Sequence, residues 1–175
     1  MNERVTKFAA QARAYCALIE NGHAPNSWMF AQECLLHLLP LYHLALQLPE
    51  VEPASKNVLA NIEYETWNLV REPIAKRLGR DQYWAVFEPL EQEMPGALAG
   101  SLSDDLADIW RDLKPGLVVI DSGAPISSHD IVWEWRFSFE THWGAHAVGA
   151  IAALHGLCFG PYADGNRTLV APPAL

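Results

Sequence analysis

The composition predicts one globular domain with an acidic surface. The chain has 175 residues, half of them hydrophobic, and 21 acidic side chains against 12 basic ones give a net charge of −9. This length suits a single domain with a substantial core. A surface of this charge repels phosphates, so we expect neither nucleic acid nor an anionic membrane among its partners.

The cysteines and the first residues indicate a cytoplasmic protein. Cys16, Cys34 and Cys158 are far apart and form no Cys-x-x-Cys motif. Such a set is typical of reduced core thiols, not of a disulfide framework or a zinc ribbon. The charged start and the amphipathic stretch after it do not resemble a signal peptide.

The N-terminal part of the chain predicts two helices. Apolar residues recur at helical spacing over residues 3–21, and Gly22 ends this first helix. A second helix is predicted from a cap at Ser27, with a kink at Pro40 and an end at Pro49.

The second predicted helix is apolar enough over residues 28–48 to span a bilayer. It also contains Glu33, His37 and His43, which are costly in lipid. We therefore expect a central helix of a helical bundle.

The rest of the chain predicts three further main helices. One runs from about Val58 to Leu78, with an interruption near Pro73, and residues 81–87 look like a short capped helix. An acidic helix follows a cap at Ser101 and ends at Pro115-Gly116. Residues 117–120 are then a short strand or a buried loop. A long last helix is capped by Asp130 and reaches about Gly156.

The predicted fold class is therefore all-α. We expect a single-domain helical bundle of about five main helices over residues 1–158, followed by an irregular C-terminal tail over residues 159–175.

Three carboxylates of the acidic helix share one face. The helix has an apolar stripe formed by Leu102, Leu106, Ile109 and Leu113. At about 100° per residue, Asp105, Asp108 and Asp112 fall within an arc of roughly 60° beside this stripe, whereas Asp104 and Arg111 lie together on another side. The functional interpretation is a site for a divalent metal ion or a substrate cation. The alternative is an acidic helix start that favours the helix dipole and forms ion pairs at the surface.

The spacing of these carboxylates also resembles the all-α nucleoside triphosphate pyrophosphohydrolases. Glu88-x-x-Glu91 precedes Asp105-x-x-Asp108 by thirteen residues. The resemblance implies a magnesium site that binds the triphosphate. Pro89 between the first pair, and Asp105 where the family has Glu, depart from its pattern.

The last helix carries a pair of histidines. Trp135, Phe139, His142 and His146 fall on one face, and two imidazoles at i, i+4 can bind one transition-metal ion. Trp143 stands where a His-Glu-x-x-His protease would have its base.

A third nitrogen ligand is available from His37 or His43 of the second helix. The set His37, His142 and His146 resembles the DinB-like metal-binding helical bundles, which include metal-dependent hydrolases and transferases. The alternative is that these histidines are hydrogen-bonded core residues paired with Asp105 or Asp108 across the bundle.

Other polar groups give structural predictions. Arg136 and Glu140 form an i, i+4 pair on another face of the last helix. Together with Arg111 and Asp104 they are candidate members of an ion network. The adjacent polar residues 127–130 cannot all converge as a catalytic triad, and neither a Gly-x-Ser-x-Gly motif nor a phosphate-binding glycine loop is present.

Three segments resemble an uncharacterised bacterial family known only as domain of unknown function 5063. They are residues 78–89, residues 100–116 (GSLSDDLADIWRDLKPG) and residues 133–157 (WEWRFSFETHWGAHAVGAIAALHGL). The resemblance implies a bacterial, cytosolic, helical protein. It carries no activity, ligand or catalytic residue.

Three functions follow as hypotheses. The first is a non-catalytic binding or assembly module that self-associates or binds a protein partner. The second is a metal-dependent hydrolase or transferase, and the third is the magnesium-dependent pyrophosphohydrolase. The sequence predicts that the distance between the acidic face and the two histidines separates a site from a structural ion network.

Overall fold

The computed structural model describes residues 2–55, 59–86, 90, 96–161 and 163. The described elements are α1 (Glu3–Asn21), α2 (Ser27–Ala45), α3 (Tyr64–Leu78), β1 (Gln82–Ala85), β2 (Leu98–Ser101), α4 (Leu102–Ser122), α5 (Ser128–Ser138), a π-helical turn (Phe139–Trp143) and α6 (Gly144–Phe159). Because α5, the π turn and α6 follow one another without a break, they form one long helix. The prediction of an all-α bundle of about five main helices is confirmed.

The helices enclose one core around α4. This helix packs against α1, α3, α5 and α6, while α2 packs against α1 and α6. The predicted apolar stripe of α4, Leu102, Leu106, Ile109 and Leu113, is buried. Its burial against several helices makes α4 the central element of the bundle. No described helix is long and apolar enough to cross a bilayer.

Polar side chains fix several helix ends. The side chain of Asn26, one residue before the predicted cap, accepts a hydrogen bond from the amide of Met29 at the start of α2. The guanidinium of Arg77 in α3 donates to the carbonyl oxygens of Leu18, Ile19 and Gly22 at the end of α1. The carbonyl of Leu18 also accepts the backbone N–H of Gly22. Arg77 thus adds hydrogen bonds at the end of α1, where carbonyls lack regular helical partners, and holds α3 against α1.

The short helix predicted after Leu78 is wrong, because the chain forms a strand there. β1 pairs with β2 in an antiparallel hairpin in which Tyr83 lies opposite Gly100. The carboxylate of Asp81, just before β1, accepts hydrogen bonds from the amide and hydroxyl of Ser103. This anchors the hairpin to the first turn of α4.

The predicted end of the acidic helix at Pro115-Gly116 is also wrong, since α4 continues to Ser122 and includes the segment predicted as a strand or a buried loop. A Cβ atom on Gly116 would lie 2.6 Å from the Trp135 ring, and the indole N–H donates to the carbonyl of Leu113 at 3.1 Å. The indole thus packs on α4 and hydrogen-bonds to it beside Pro115, which favours the helix although proline removes one of its backbone hydrogen bonds.

Other predicted boundaries shift. α3 begins at Tyr64 and is not interrupted at Pro73. The cap of α5 is Ser127, and Asp130 instead accepts two hydrogen bonds from Ser55. Of the predicted tail, Phe159 belongs to α6, while residues 162 and 164–175 lie outside the described residues.

Two glycine-to-alanine variants test the packing of α4. Gly116→Ala places a methyl group 2.6 Å from atoms of the Trp135 ring, so we expect a loss of about 1–3 kcal/mol in the free energy of unfolding. The matched control is Gly156→Ala in α6, where a Cβ would meet nothing within 4 Å. There alanine gains roughly 0.5–1 kcal/mol from its helix propensity. Urea denaturation of both variants measures these changes, and equal stabilities would contradict the packing argument.

Candidate metal centre

The carboxylates of α4 and the histidines of the last helix meet in pairs at the edge of the core. Nδ1 of His146 lies 2.7 Å from Oδ1 of Asp105, and Nδ1 of His142 lies 2.7 Å from Oδ2 of Asp112. The two imidazole rings are edge to face, with centroids 4.7 Å apart. The structure therefore brings together the acidic face and the histidine pair that the sequence singled out.

Asp108 lies between these two pairs. Its Oδ2 is 3.8 Å from Nε2 of His146. Asp108, His142 and His146 each offer a ligand atom, and all these atoms lie within 4.8 Å of one another. Since carboxylates occupy the Nδ1 side of each ring, the Nε2 atoms are the nitrogens left for a metal ion.

The π turn is adjacent to this cluster and depends on a glycine. A Cβ atom on Gly144 would lie 2.3 Å from the carbonyl oxygen of Phe139, so only glycine fits the first position of α6. π-helical turns of this kind are often found at functional sites. His142 belongs to the turn and His146 follows it by one helical turn.

The charges of the cluster are incompletely compensated. Burial raises the pKa of Asp108, although Arg111 opposes the shift with a contact of 2.9 Å to Oδ1. That oxygen is buried and accepts no well-directed hydrogen bond from the described residues. The hydrogen bond to Asp105 raises the pKa of His146 above its ordinary value. Among the described residues of the cluster, the three carboxylates of Asp105, Asp108 and Asp112 thus stand beside one guanidinium, that of Arg111.

Tyr83 of β1 completes the cluster, and sequence reasoning missed it. Its hydroxyl donates a hydrogen bond of 2.5 Å to Oδ2 of Asp105. Burial raises the pKa of Tyr83 well above its ordinary value, and the bond to Asp105 adds to the shift. No local motif marks this residue, because the hairpin brings it to α4 across 22 positions of sequence.

Two grooves meet at His142. One has a volume of about 790 Å³ and runs between the hairpin and α6, with Tyr83, Trp84, Ala145 and Gly149 among its lining residues. The other, about 560 Å³, is lined by charged and aromatic side chains that include Arg111, Asp112, Glu134 and Phe137. Both volumes suit a small molecule.

Of the other residues predicted as metal ligands, the structure describes His37 and His43. His43 contacts the side chain of Gln47. Within the described part of the chain, His37 has a buried Nδ1 without a hydrogen-bond partner and is not part of the group that could hold a metal. Glu88 and Glu91, on which the pyrophosphohydrolase resemblance depends, lie outside the described residues.

The predicted ion network is divided. Arg136 pairs with Glu140 as predicted and also donates to the carbonyl of Leu48. Asp104 and Arg111 have different ion-pair partners: Arg111 contacts Asp108 at 2.9 Å, and Asp104 contacts Arg71 at 3.4 Å. The i, i+3 spacing lets Arg111 reach the buried carboxylate, where its charge has the larger effect.

The comparisons with known proteins place the chain in a family. Residues 1–159 match the family described as a domain of unknown function, DUF5063, and the chain belongs to that family. A similar solved structure is the crystal structure of protein BF1032 from Bacteroides fragilis, with a TM-score of 0.76 and 25% sequence identity, over 91% of this chain and 97% of that chain. No curated protein matches the sequence. The family assignment confirms the predicted resemblance.

The pairing of His146 predicts a pH dependence of stability in the metal-free protein. Because its folded-state pKa is raised, the imidazolium stabilises the fold below about pH 6.5, and this contribution is lost as the pH rises through the folded-state pKa. The groups that face it are Asp105, Asp108, Asp112 and His142. His146→Gln should therefore lose most stability near pH 6 and progressively less by about pH 9.

Urea denaturation in the presence of a chelator measures this difference. The control is His155→Gln, an exposed histidine of the same helix, whose effect should not vary with pH in this way. A loss for His146→Gln that grows with rising pH would contradict the assigned ion pair.

Proposed function

We propose that this protein binds a divalent transition-metal ion through Nε2 of His142, Nε2 of His146 and the carboxylate of Asp108. The observation that carries the proposal is the hydrogen bond from each Nδ1 to a carboxylate. Metal-binding histidines commonly donate their other ring N–H to a carboxylate, which fixes the tautomer and increases ligand basicity. Asp105 and Asp112 would have this supporting role.

The distances are compatible with such an ion. Ligand atoms around an ion with bonds of 2.0–2.1 Å lie roughly 3–3.5 Å apart. The ligand atoms of the three residues lie within 4.8 Å of one another, and Oδ2 of Asp108 is 3.8 Å from Nε2 of His146, so side-chain rotations would close the site around an ion.

The charge of the cluster also favours a divalent cation. Three carboxylates and one guanidinium leave a net charge of about −2, which a divalent ion neutralises. Two nitrogens and one carboxylate suit zinc, iron, cobalt, nickel or manganese better than magnesium, which prefers oxygen ligands. The ligand set therefore supports a transition metal over the magnesium site of a pyrophosphohydrolase.

Metal binding can be tested directly on protein stripped with a chelator. We expect about one ion of zinc or cobalt per chain, and a rise in thermal stability on addition. His146→Ala and Asp108→Asn should weaken binding by more than about 100-fold, because each removes a ligand. The control His155→Ala should bind as the wild type does. Calorimetric titration and elemental analysis that detect no bound ion would refute the proposal.

A second candidate function is metal-dependent hydrolysis. Its supporting observation is that three protein ligands leave coordination positions free beside the two grooves at His142. Such open sites are typical of catalytic metal centres, in which the ion lowers the pKa of a bound water molecule.

A screen of activated carboxylic and phosphate esters with the zinc- or manganese-loaded protein tests this function. Turnover should vanish with chelator, return with metal, and fall at least about 10-fold in His142→Ala. Metal binding without any turnover would leave a binding module and exclude the hydrolase.

A further inference from the structure

The side chain of Tyr83 packs tightly between a glycine of β2 and a glycine of α6. A Cβ atom on Gly100 of β2 would lie 2.7 Å from the phenol ring, and a Cβ on Gly149 of α6 would lie 2.5 Å from its hydroxyl oxygen. Any larger residue at either position would displace the tyrosine. Two glycines from separate elements thus hold the hydroxyl in one place.

From that place the hydroxyl reaches Asp105, whose two carboxylate oxygens have different partners. Oδ2 accepts the bond from Tyr83, and Oδ1 contacts Nδ1 of His146. A carboxylate held at both oxygens cannot rotate about its Cβ–Cγ bond without breaking one contact. Since Asp105 is buried, with 6% of its surface exposed, water does not readily replace a lost partner.

We infer that Tyr83 is a positioning residue: its hydroxyl fixes Asp105 and, through it, the imidazole of His146 in the orientation that metal binding requires. The inference rests on the proposed function and extends it to a residue of the hairpin. The metal affinity of the site, whose proposed ligands come from α4, the π turn and α6, then depends on the docking of β1, although β1 supplies no ligand.

Cobalt binding to two hydroxyl-deletion variants tests the inference. Tyr83→Phe keeps the ring between its two glycines and removes only the bond to Asp105. We expect the Co²⁺ dissociation constant to rise about 10- to 100-fold, with a change in the visible absorption of the bound ion. The control Tyr64→Phe makes the same chemical change at an exposed tyrosine that lines the 560 Å³ groove but not the groove beside Asp105, and it should alter neither. An unchanged affinity and spectrum in Tyr83→Phe would overturn the inference.

Gly149→Ala provides an independent test, because its methyl group would contact the hydroxyl. Without the hydroxyl, the nearest atom of Tyr83 is Cζ at 3.5 Å, an ordinary contact. Gly149→Ala should therefore weaken Co²⁺ binding in the wild-type background and have little effect in the Y83F background. Equal losses in both backgrounds would contradict a role for the hydroxyl.

A measurement without metal separates this inference from the proposed function. In chelator-treated wild type, the Nδ1–H of His146 should give a slowly exchanging proton resonance, since Asp105 holds it. The signal should broaden in Tyr83→Phe and persist in Tyr64→Phe. If the wild type binds no cobalt but the signal broadens only in Tyr83→Phe, the positioning role holds and the metal proposal fails.

If cobalt binds but the proton is equally protected in both variants, and their affinities agree, the metal proposal holds and the positioning role fails.

Discussion

The pairing of α4 with the last helix fixes the arrangement of the whole cluster. Asp105 and Asp112 are seven residues apart, about 10.5 Å along a helix axis, whereas His142 and His146 are four apart, about 6 Å. Asp105 pairs with His146 and Asp112 with His142, so the residue order along α4 is opposite to that along the last helix. The two imidazoles lie between these two carboxylates. Asp108, near the middle of this span, then faces the pair of rings. Because α4 also packs against α1 and α3, its register is set by the same contacts that form the core.

The parts of the cluster that depend on spacing within a single helix were predictable from the sequence. The 3.6-residue period placed Asp105, Asp108 and Asp112 on one face of α4, and the i, i+4 spacing paired His142 with His146. Which carboxylate meets which histidine was not predictable, because it depends on the relative register of two helices far apart in sequence. Tyr83 was missed for the same reason, since its position depends on strand pairing.

The errors in the helix boundaries share a physical cause. Proline and glycine at 115 and 116 signal an end when only the helix itself is considered. The indole of Trp135 needs Gly116 for close packing, and this tertiary contact outweighs the local cost. Helical periodicity likewise did not indicate the π turn, although Gly144 is the residue that permits it.

The expectation of self-association or a protein partner is not tested by these contacts and stays a prediction.

The π turn reconciles two requirements of the last helix. Trp135 and Trp143 are both fully buried, but in an uninterrupted α-helix eight residues would place them about 80° apart. Each residue of a π turn rotates the chain by roughly 80°, because its hydrogen bonds span one more residue, and five such residues reduce the difference to about 20°. The same turn leaves His142 and His146 within about 20° of each other, facing α4. One helix therefore buries both tryptophans on the core side and keeps both imidazoles toward the carboxylates, which a regular α-helix of this sequence would do less well.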